Sequence, residues 1–230
     1  MERVENDLIF RNRRHAGEEL GKYLVPIYRH LHPLVLGIPR GGVEVAYYVA
    51  KELATDLSFV ITKKLPFPGH KEYGIGSIAE DYSVYISPRV DDSLPRATID
   101  KVIEEQKQEI DRRVSQYRQG GTIPSMEGRI VLLVDDGIAT GVTLIAAIRL
   151  CRKHGAARII LAAPVSGYKY DKALNEADDL EVLIQPDPFH SVGQVYEEFG
   201  EFTDEQMAAL LQRAEREKKP NENWDSREFN

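Results

Sequence analysis

Several residue types that mark particular protein classes are scarce in this 230-residue sequence. Its single cysteine, Cys151, excludes an internal disulfide framework and a four-cysteine zinc site. No stretch approaches the roughly 20 apolar residues that span a membrane, and residues 1–10 lack the apolar core of a secretory signal. The formal net charge of −7 argues against a general nucleic-acid binder, which usually carries a basic surplus. We therefore expect a cytoplasmic globular protein without nucleic-acid or membrane partners.

The hydrophobic pattern predicts an α/β fold in which short apolar strands alternate with amphipathic helices. The predicted strands cover residues 34–38, 58–62, 130–135, 158–163 and 182–184. The predicted helices cover about 14–31, 43–54, 95–119, 141–154, 166–176 and a last segment around 207–214. Prolines and glycines punctuate residues 63–94, which indicates a long loop or a twisted hairpin with a short strand at 82–86. This order predicts a central, mostly parallel sheet flanked by helices.

The most informative stretch is residues 130–143, where five apolar residues lead directly into Asp135 and Asp136. Open α/β sheets bind ligands where their strands end, so these acids can accept bonds from hydroxyls or hold a metal. The small-residue loop that follows can surround an anion with backbone N–H groups at the positive end of the next helix. Its residues are Gly137, Ile138, Ala139, Thr140, Gly141, Val142 and Thr143. Acids beside a phosphate cradle predict a site for a phosphorylated sugar.

A second anion-binding turn follows the first predicted strand. Gly41 and Gly42 allow backbone amides to converge on one anion, and Arg40 adds a planar set of donors suited to phosphate oxygens. By itself this stretch is equally typical of an ordinary turn. Lys63 and Lys64 end the next predicted strand. They are either a solvated basic pair or, at Lys64 in particular, a contact for phosphate.

The strand, the Asp-Asp pair and the Ala-Thr-Gly-x-Thr loop together resemble the phosphoribosyl-diphosphate signature of type I phosphoribosyltransferases. The resemblance implies that Asp135 and Asp136 hold the ribose hydroxyls and Mg²⁺, directly or through water. It implies that the loop 137–143 binds the 5′-phosphate. The Arg-Gly-Gly turn, about a hundred residues earlier, would bind the leaving diphosphate, as the family's order requires. The implied fold is that of the type I phosphoribosyltransferases, with a small hood and a flexible flap.

Most of residues 10–215 also resemble a narrower group, predicted phosphoribosyltransferases of bacteria and archaea with no settled substrate. The matching segments include Phe10-Arg11-Asn12-Arg13, Gly37 to Gly42, Lys64-Leu65-Pro66, Gly74 to Ile78 and Val192-Gly193. By this likeness residues 1–217 form one domain. Its hood comes from the N-terminal segment and about 185–200, and its flap from about 63–94. Residues 218–230 are predicted to be a polar tail.

The sequence departs from the family's purine-specific members at two places. Ala139 occupies the slot of the aspartate that serves the purine in hypoxanthine-guanine enzymes, and no lysine follows the strand that ends at Ala163. A 6-oxopurine acceptor is therefore disfavoured. Adenine-type enzymes use a flap glutamate instead, a role open to Glu72, Glu80 or Asp81, although ordinary exposed acids are the stronger interpretation. Aromatic residues of 185–199 either stack on a base or pack the hood onto the core.

The implied activity is Mg²⁺-dependent transfer of 5-phosphoribosyl from phosphoribosyl diphosphate to a small nitrogenous acceptor, with Asp135, Asp136 and Arg40 as the catalytic residues. The family's role in nucleotide salvage suggests a nucleobase as the acceptor. An alternative is a regulatory protein that binds phosphoribosyl diphosphate without transferring it. The acidic net charge and the lack of an added basic domain speak against a nucleic-acid-directed sensor. A homodimer is among the expected states, but nothing in the sequence decides it.

Overall fold

The computed structural model describes residues 9–91 and 94–218. Short apolar segments form the strands β1 Leu34–Gly37, β2 Leu57–Phe59, β3 Thr62–Phe67, β4 His70–Ala79, β5 Val84–Ile86, β6 Ile130–Val134, β7 Arg158–Val165 and β8 Asp179–Ile184. The helices are α1 Arg13–Tyr28, α2 Gly41–Leu53, α3 Pro88–Asp91, α4 Arg96–Arg118, α5 Val142–Lys153 and α6 Asp204–Lys218. Single 3₁₀ turns cover Arg29–Leu31, Lys172–Glu176 and Val192–Val195.

The central sheet has five parallel strands in the order β2-β1-β6-β7-β8. Successive residues of a strand face opposite sides, so Leu34 and Leu36 pack with α5 while Val35 packs with α1 and α2. This two-sided burial explains why the strands are continuously apolar. The predicted central parallel sheet flanked by helices is confirmed.

The chain leaves the parallel sheet earlier than predicted. The predicted strand 58–62 is wrong at its end, because β2 stops at Phe59 and Thr62 already pairs with Ala79 in a second sheet. That antiparallel sheet has the order β3-β4-β5, and its apolar face packs against α4. Residues 63–94 therefore contain a hairpin with a third strand, rather than a long irregular loop.

The predicted helix at 166–176 is also wrong, since only Lys172–Glu176 turns, as a 3₁₀ segment. Backbone bonds to neighbouring strands take the place of helical ones: the Ser166 amide donates to Ile184 O and the Gly167 amide to Ile138 O. Asp171 then caps the short turn by accepting from the Ala173 amide at 3.0 Å. Local helical propensity is overridden here by pairing along the sheet edge.

The start of the described chain meets the segment around Tyr196 beside the sheet. Phe10 forms a parallel bridge with Tyr196, and the two rings lie 5.6 Å apart within a small apolar cluster. Thr203 begins α6 by capping the Gln206 amide at 3.3 Å. Of the predicted tail 218–230, Lys218 is the last residue of α6, and residues 219–230 lie outside the described part of the chain. None of the helices that the structure describes is long and apolar enough to cross a membrane.

Candidate active site

The two sequence motifs meet because β1 and β6 are adjacent parallel strands, with Gly37 level with Val134. The turns that follow these strands consequently lie side by side at the carboxyl edge of the sheet. A Cβ atom at Gly41 would lie 2.1 Å from Asp136 Oδ2, and one at Gly42 would lie 2.8 Å from Asp135 Oδ1. Both positions need glycine because the acid side chains occupy that space.

Asp135 and Asp136 are partly buried carboxylates with little compensating charge. Asp135 Oδ1 accepts the Asp136 amide at 2.9 Å. Burial raises the pKa of Asp135 well above its usual range, and the neighbouring Asp136 charge raises it further. Burial also raises the pKa of Asp136, although an arginine opposes the shift. A pair of this kind favours a ligand that brings a cation or hydroxyl donors.

The opposing arginine is Arg13, at the start of α1. Its Nε donates to Asp136 Oδ2 at 2.7 Å, and its Nη1 donates to Gly200 O at 2.7 Å. The guanidinium also lies 4.1 Å over the Phe199 ring. The sequence motif containing Arg13 indicated a resemblance but assigned this side chain no role, because its partners are more than a hundred residues away.

Glu44, in the first turn of α2, adds a third acid near this pair. The pKa of Glu44 is raised overall, mainly by burial. The charge of Arg13 opposes this shift, and the charge of Asp136 adds to it. Three carboxylates thus face the one guanidinium of Arg13 in this part of the described structure. Sequence reasoning also missed Glu44, since a glutamate in the first turn of a helix is typical of any helix.

Arg40 lies beside this cluster but is engaged by other acids. Its guanidinium forms ion pairs with Glu201 and, at 3.3 Å, with Asp204 at the start of α6. Asp204 also accepts from Tyr117 Oη at 2.6 Å and from Gln116 Nε2 at 2.8 Å. About a third of the Arg40 side chain is exposed, so an anion that competes with these acids can reach its guanidinium group.

The small-residue loop joins β6 to α5 and leaves Ala139 and Thr140 exposed. Gly141 has φ +73°, and a Cβ there would lie 2.4 Å from Leu174, so the turn requires glycine. α5 begins at Val142 without a side-chain cap among the described residues. The Leu144 amide donates to Gly141 O at 3.0 Å. The amides of Val142 and Thr143 have no partner within the helix, so they are left for a ligand or water. This loop is anchored below by Ile138, whose amide donates to Val165 O at 2.8 Å.

The two lysines of β3 point to opposite faces of the small sheet. Lys63 pairs with Glu109 of α4 at 3.6 Å. Lys64 is level with Ser77 on β4, whose hydroxyl donates to Val142 O at 2.6 Å. Directly opposite residues share a face of the sheet, so Lys64 lies on the side that faces the start of α5.

The other candidates from the sequence have structural partners. Glu80 accepts from Arg118 at 2.5 and 2.6 Å and from the Ile61 amide at 2.9 Å. Asp81 forms an ion pair with Lys153 at 3.0 Å and accepts from Ser83. The interpretation of Glu80 and Asp81 as exposed acids is wrong, because their side chains are only 1% and 7% exposed. Their partners instead give them a structural role. The side chain of Glu72 lies outside the part of the molecule that the structure describes.

The aromatic residues of the C-terminal segment mainly pack against each other. Phe199 stacks on Tyr196 at 4.8 Å, and Tyr196 Oη donates to Asp136 O at 2.6 Å. A cavity of about 510 Å³ lies elsewhere, between α6, the edge strand β2 and the end of α4. Asp204 lines that cavity, but the Asp-Asp pair, the Arg-Gly-Gly turn and the loop 137–143 do not.

Comparison with known proteins agrees with this geometry. The family model described as "Phosphoribosyl transferase domain" matches residues 23–198. Two proteins from Mycobacterium tuberculosis strains, named "Putative phosphoribosyl transferase" Rv0571c and MT0597, are each 36% identical over 212 residues. That alignment covers 91% of this chain and 48% of each relative, so the chain spans about half the length of the curated relatives it matches.

A solved structure is similar over nearly its full length. The crystal structure of TT1426 from Thermus thermophilus has a TM-score of 0.77 and 34% identity, covering 89% of this chain and 98% of that one. The family model alone covers more than half of the chain. The chain belongs to the phosphoribosyl transferase domain family.

Proposed function

We propose that this chain transfers the 5-phosphoribosyl group from phosphoribosyl diphosphate to a nitrogenous acceptor and releases diphosphate. One observation carries the proposal: the Arg-Gly-Gly turn lies directly against the Asp-Asp pair, so that any side chain at position 41 would have to displace the Asp136 carboxylate. An anion-binding turn, sugar-binding acids and an uncapped helix start are thereby gathered at one edge of the sheet. Family membership supports the same reaction class.

The acid pair and the small-residue loop would hold the ribose 5-phosphate part of the substrate. Asp135 and Asp136 would accept hydrogen bonds from the 2′- and 3′-hydroxyls. The 5′-phosphate would be bound by the first amides of α5 and by the hydroxyls of Thr140 and Thr143, at the positive end of the helix. Gly137, Ile138, Ala139, Gly141 and Val142 would supply the backbone of this cradle.

The Arg-Gly-Gly turn would bind the leaving diphosphate. Gly41 and Gly42 would offer backbone amides, while Arg40 would exchange Glu201 and Asp204 for phosphate oxygens. Lys64 would add a second positive charge from the small sheet. Donors held in place before the reaction stabilise charge that develops on the leaving group, which lowers the barrier.

Mg²⁺ fits the acid pair. Two carboxylates whose pKa values are raised by burial and close approach are relieved by a nearby cation. Proteins commonly hold Mg²⁺ with one or two carboxylates plus substrate phosphates, and the described residues form no cage of three or more such ligands. Bound there, directly or through water, Mg²⁺ would neutralise charge on the diphosphate. Asp135 and Asp136 would also lie near the positive charge that develops on the ribose.

The acceptor is proposed to be a nucleobase or a related amine, which would place the reaction in nucleotide salvage. Ala139 has no group to exchange a proton with the acceptor, and Glu80 and Asp81 are engaged elsewhere. A 6-oxopurine is disfavoured because β7 ends at Val165 and is followed directly by Ser166, Gly167 and Tyr168 rather than by lysine.

The proposal is tested by measuring diphosphate release from phosphoribosyl diphosphate with a panel of nucleobases, with and without Mg²⁺. We expect release that requires both Mg²⁺ and one class of base. Tight binding without turnover on any base would favour the regulatory alternative. Failure to bind phosphoribosyl diphosphate at all would contradict both functions.

A further inference from the structure

Arg13 lies where three independent contacts hold its guanidinium against the acid pair. Nε donates to Asp136 Oδ2, Nη1 donates to Gly200 O, and the plane of the group lies over Phe199. The ion pair is well shielded, because the side chains of Arg13 and Asp136 are only 11% and 18% exposed. Shielded, charge-assisted bonds of this kind are stronger and more strictly oriented than surface ion pairs.

The orientation matters because Asp136 uses only one of its oxygens for Arg13. A carboxylate has two oxygens and about four acceptor sites, so Oδ1 keeps the capacity to accept from a ligand hydroxyl. Without Arg13, Asp136 would face Asp135 and Glu44 with no guanidinium against it. The side chain would then be free to rotate, and it would no longer be an oriented acceptor.

We propose that Arg13 is a positioning residue for Asp136, which keeps this carboxylate turned toward the ribose hydroxyls. This inference rests on the proposed binding of phosphoribosyl diphosphate at the acid pair. Phe199 and Gly200 act as the support that holds Arg13 itself. Arg40 stands apart from this arrangement, since its partners are Glu201 and Asp204.

Because Arg13 and Arg40 have different partners, two fragments of the proposed substrate can test them separately. Ribose 5-phosphate probes the acid pair, whereas inorganic diphosphate probes the turn that carries Arg40. Calorimetric titration of the full chain with each ligand would compare the wild type with Arg13→Gln, without Mg²⁺ so that a metal at the acid pair does not link the two ligands. We expect affinity for ribose 5-phosphate to fall about 10- to 100-fold, as for the loss of a bond to a charged group, and affinity for diphosphate to change less than about threefold.

Two further variants separate positioning from a general loss of structure. Arg13→Lys keeps the charge and should restore part of the ribose 5-phosphate affinity. Phe199→Ala removes a support that is already 38% exposed and should weaken the same ligand by a smaller factor. Arg14→Gln is the matched control, because Arg14 forms its ion pair with Glu18 on the exposed face of α1 and lies over the Tyr48 ring. This variant should bind both ligands as the wild type does.

The outcomes are distinguishable. An Arg13→Gln chain that melts cooperatively and binds ribose 5-phosphate as tightly as the wild type overturns the inference. Equal weakening of both ligands also overturns it, since that points to a structural role. If Arg13→Gln does not fold, Arg13→Lys and Phe199→Ala are used instead. Selective weakening of ribose 5-phosphate supports the inference, and equal weakening of both ligands or unchanged affinity overturns it. A wild-type chain that binds neither ligand nor phosphoribosyl diphosphate refutes the proposed function, and this inference with it.

Discussion

Two Asp-Asp pairs adjoin the parallel sheet, and they differ in how many arginines pair with them. Asp135 and Asp136 follow β6 at its carboxyl end, where they share Arg13 with Glu44 within the described structure. Asp178 and Asp179 stand at the amino end of β8. There Asp178 pairs with Arg152 at 2.6 Å and Asp179 with Arg158 at 2.6 Å.

The difference appears in the pKa values of Asp135, Asp136 and Asp178. Burial raises the pKa of Asp135 and Asp136. Asp178 is also affected by burial, but the Ile159 amide and Arg152 outweigh it and lower its pKa. An Asp-Asp pair therefore lies at the proposed ligand site at the carboxyl edge of the sheet, and another forms structural ion pairs at the amino end of β8. Compensation by neighbours, rather than the motif, separates the two roles.

The largest effect is expected from removing the charge of the first pair. Asp135→Asn with Asp136→Asn should weaken binding of phosphoribosyl diphosphate by at least about 100-fold, or roughly 2.7 kcal/mol. The free energy of unfolding should change by less than about 1 kcal/mol, because relief of repulsion offsets the lost partner of Arg13. Calorimetry and urea unfolding measure the two quantities. Unchanged affinity in this double variant would refute the site assignment.

A smaller effect is expected from crowding the same pair. Gly41→Ala places a methyl group 2.1 Å from Asp136 Oδ2 and 2.6 Å from Arg13 Nε, which forces both side chains to move. Overpacking of this kind typically costs about 1–3 kcal/mol, and affinity should fall with it. Gly69→Ala serves as a control for crowding, since no atom lies within 4 Å of a Cβ there. The control should leave ligand affinity unchanged, although its positive φ makes alanine unfavourable.

The reverse pattern is expected at the second pair. Asp178→Asn with Asp179→Asn should leave ligand affinity unchanged and lower the free energy of unfolding by about 1–2 kcal/mol, a modest figure because both ion pairs are more than a third exposed. Chemical unfolding monitored by circular dichroism measures the loss. If this double variant lost ligand affinity without losing stability, the proposed difference between the two Asp-Asp pairs would be wrong.

The smallest effect concerns pH. The pKa of Asp178 is lowered in the folded state, so its contribution to stability is present above its ordinary value of 3.8 and is lost as the pH falls through the folded value. Asp178→Asn should therefore flatten the acid side of the stability profile by a few tenths of a kcal/mol, given solvent screening. Unfolding midpoints between pH 5 and pH 3, with the wild type alongside, measure this difference. An equally steep profile in both proteins would contradict the shift.

The parallel sheet was predictable from sequence because each of its strands is a short apolar run bounded by turns. The contact between the Arg-Gly-Gly turn and the Asp-Asp pair was implied by the resemblance to type I phosphoribosyltransferases. No local sequence pattern predicts it. The segment 166–176 was predicted wrongly, because sheet-edge pairing of Ser166 and Gly167 outcompetes helix formation. Arg13 escaped prediction because its partner is 123 residues away, a separation that hydrophobic periodicity does not encode.

The close approach of Gly41 and Gly42 to the acids has a practical meaning for protein engineering. A chimera that takes residues 36–42 from one homologue and 130–143 from another must preserve the fit between two stretches almost a hundred positions apart. In a saturation library, positions 41 and 42 should be strongly depleted of substitutions even though no ligand atom needs to touch a side chain there. Shuffling experiments on this fold should therefore exchange both stretches together.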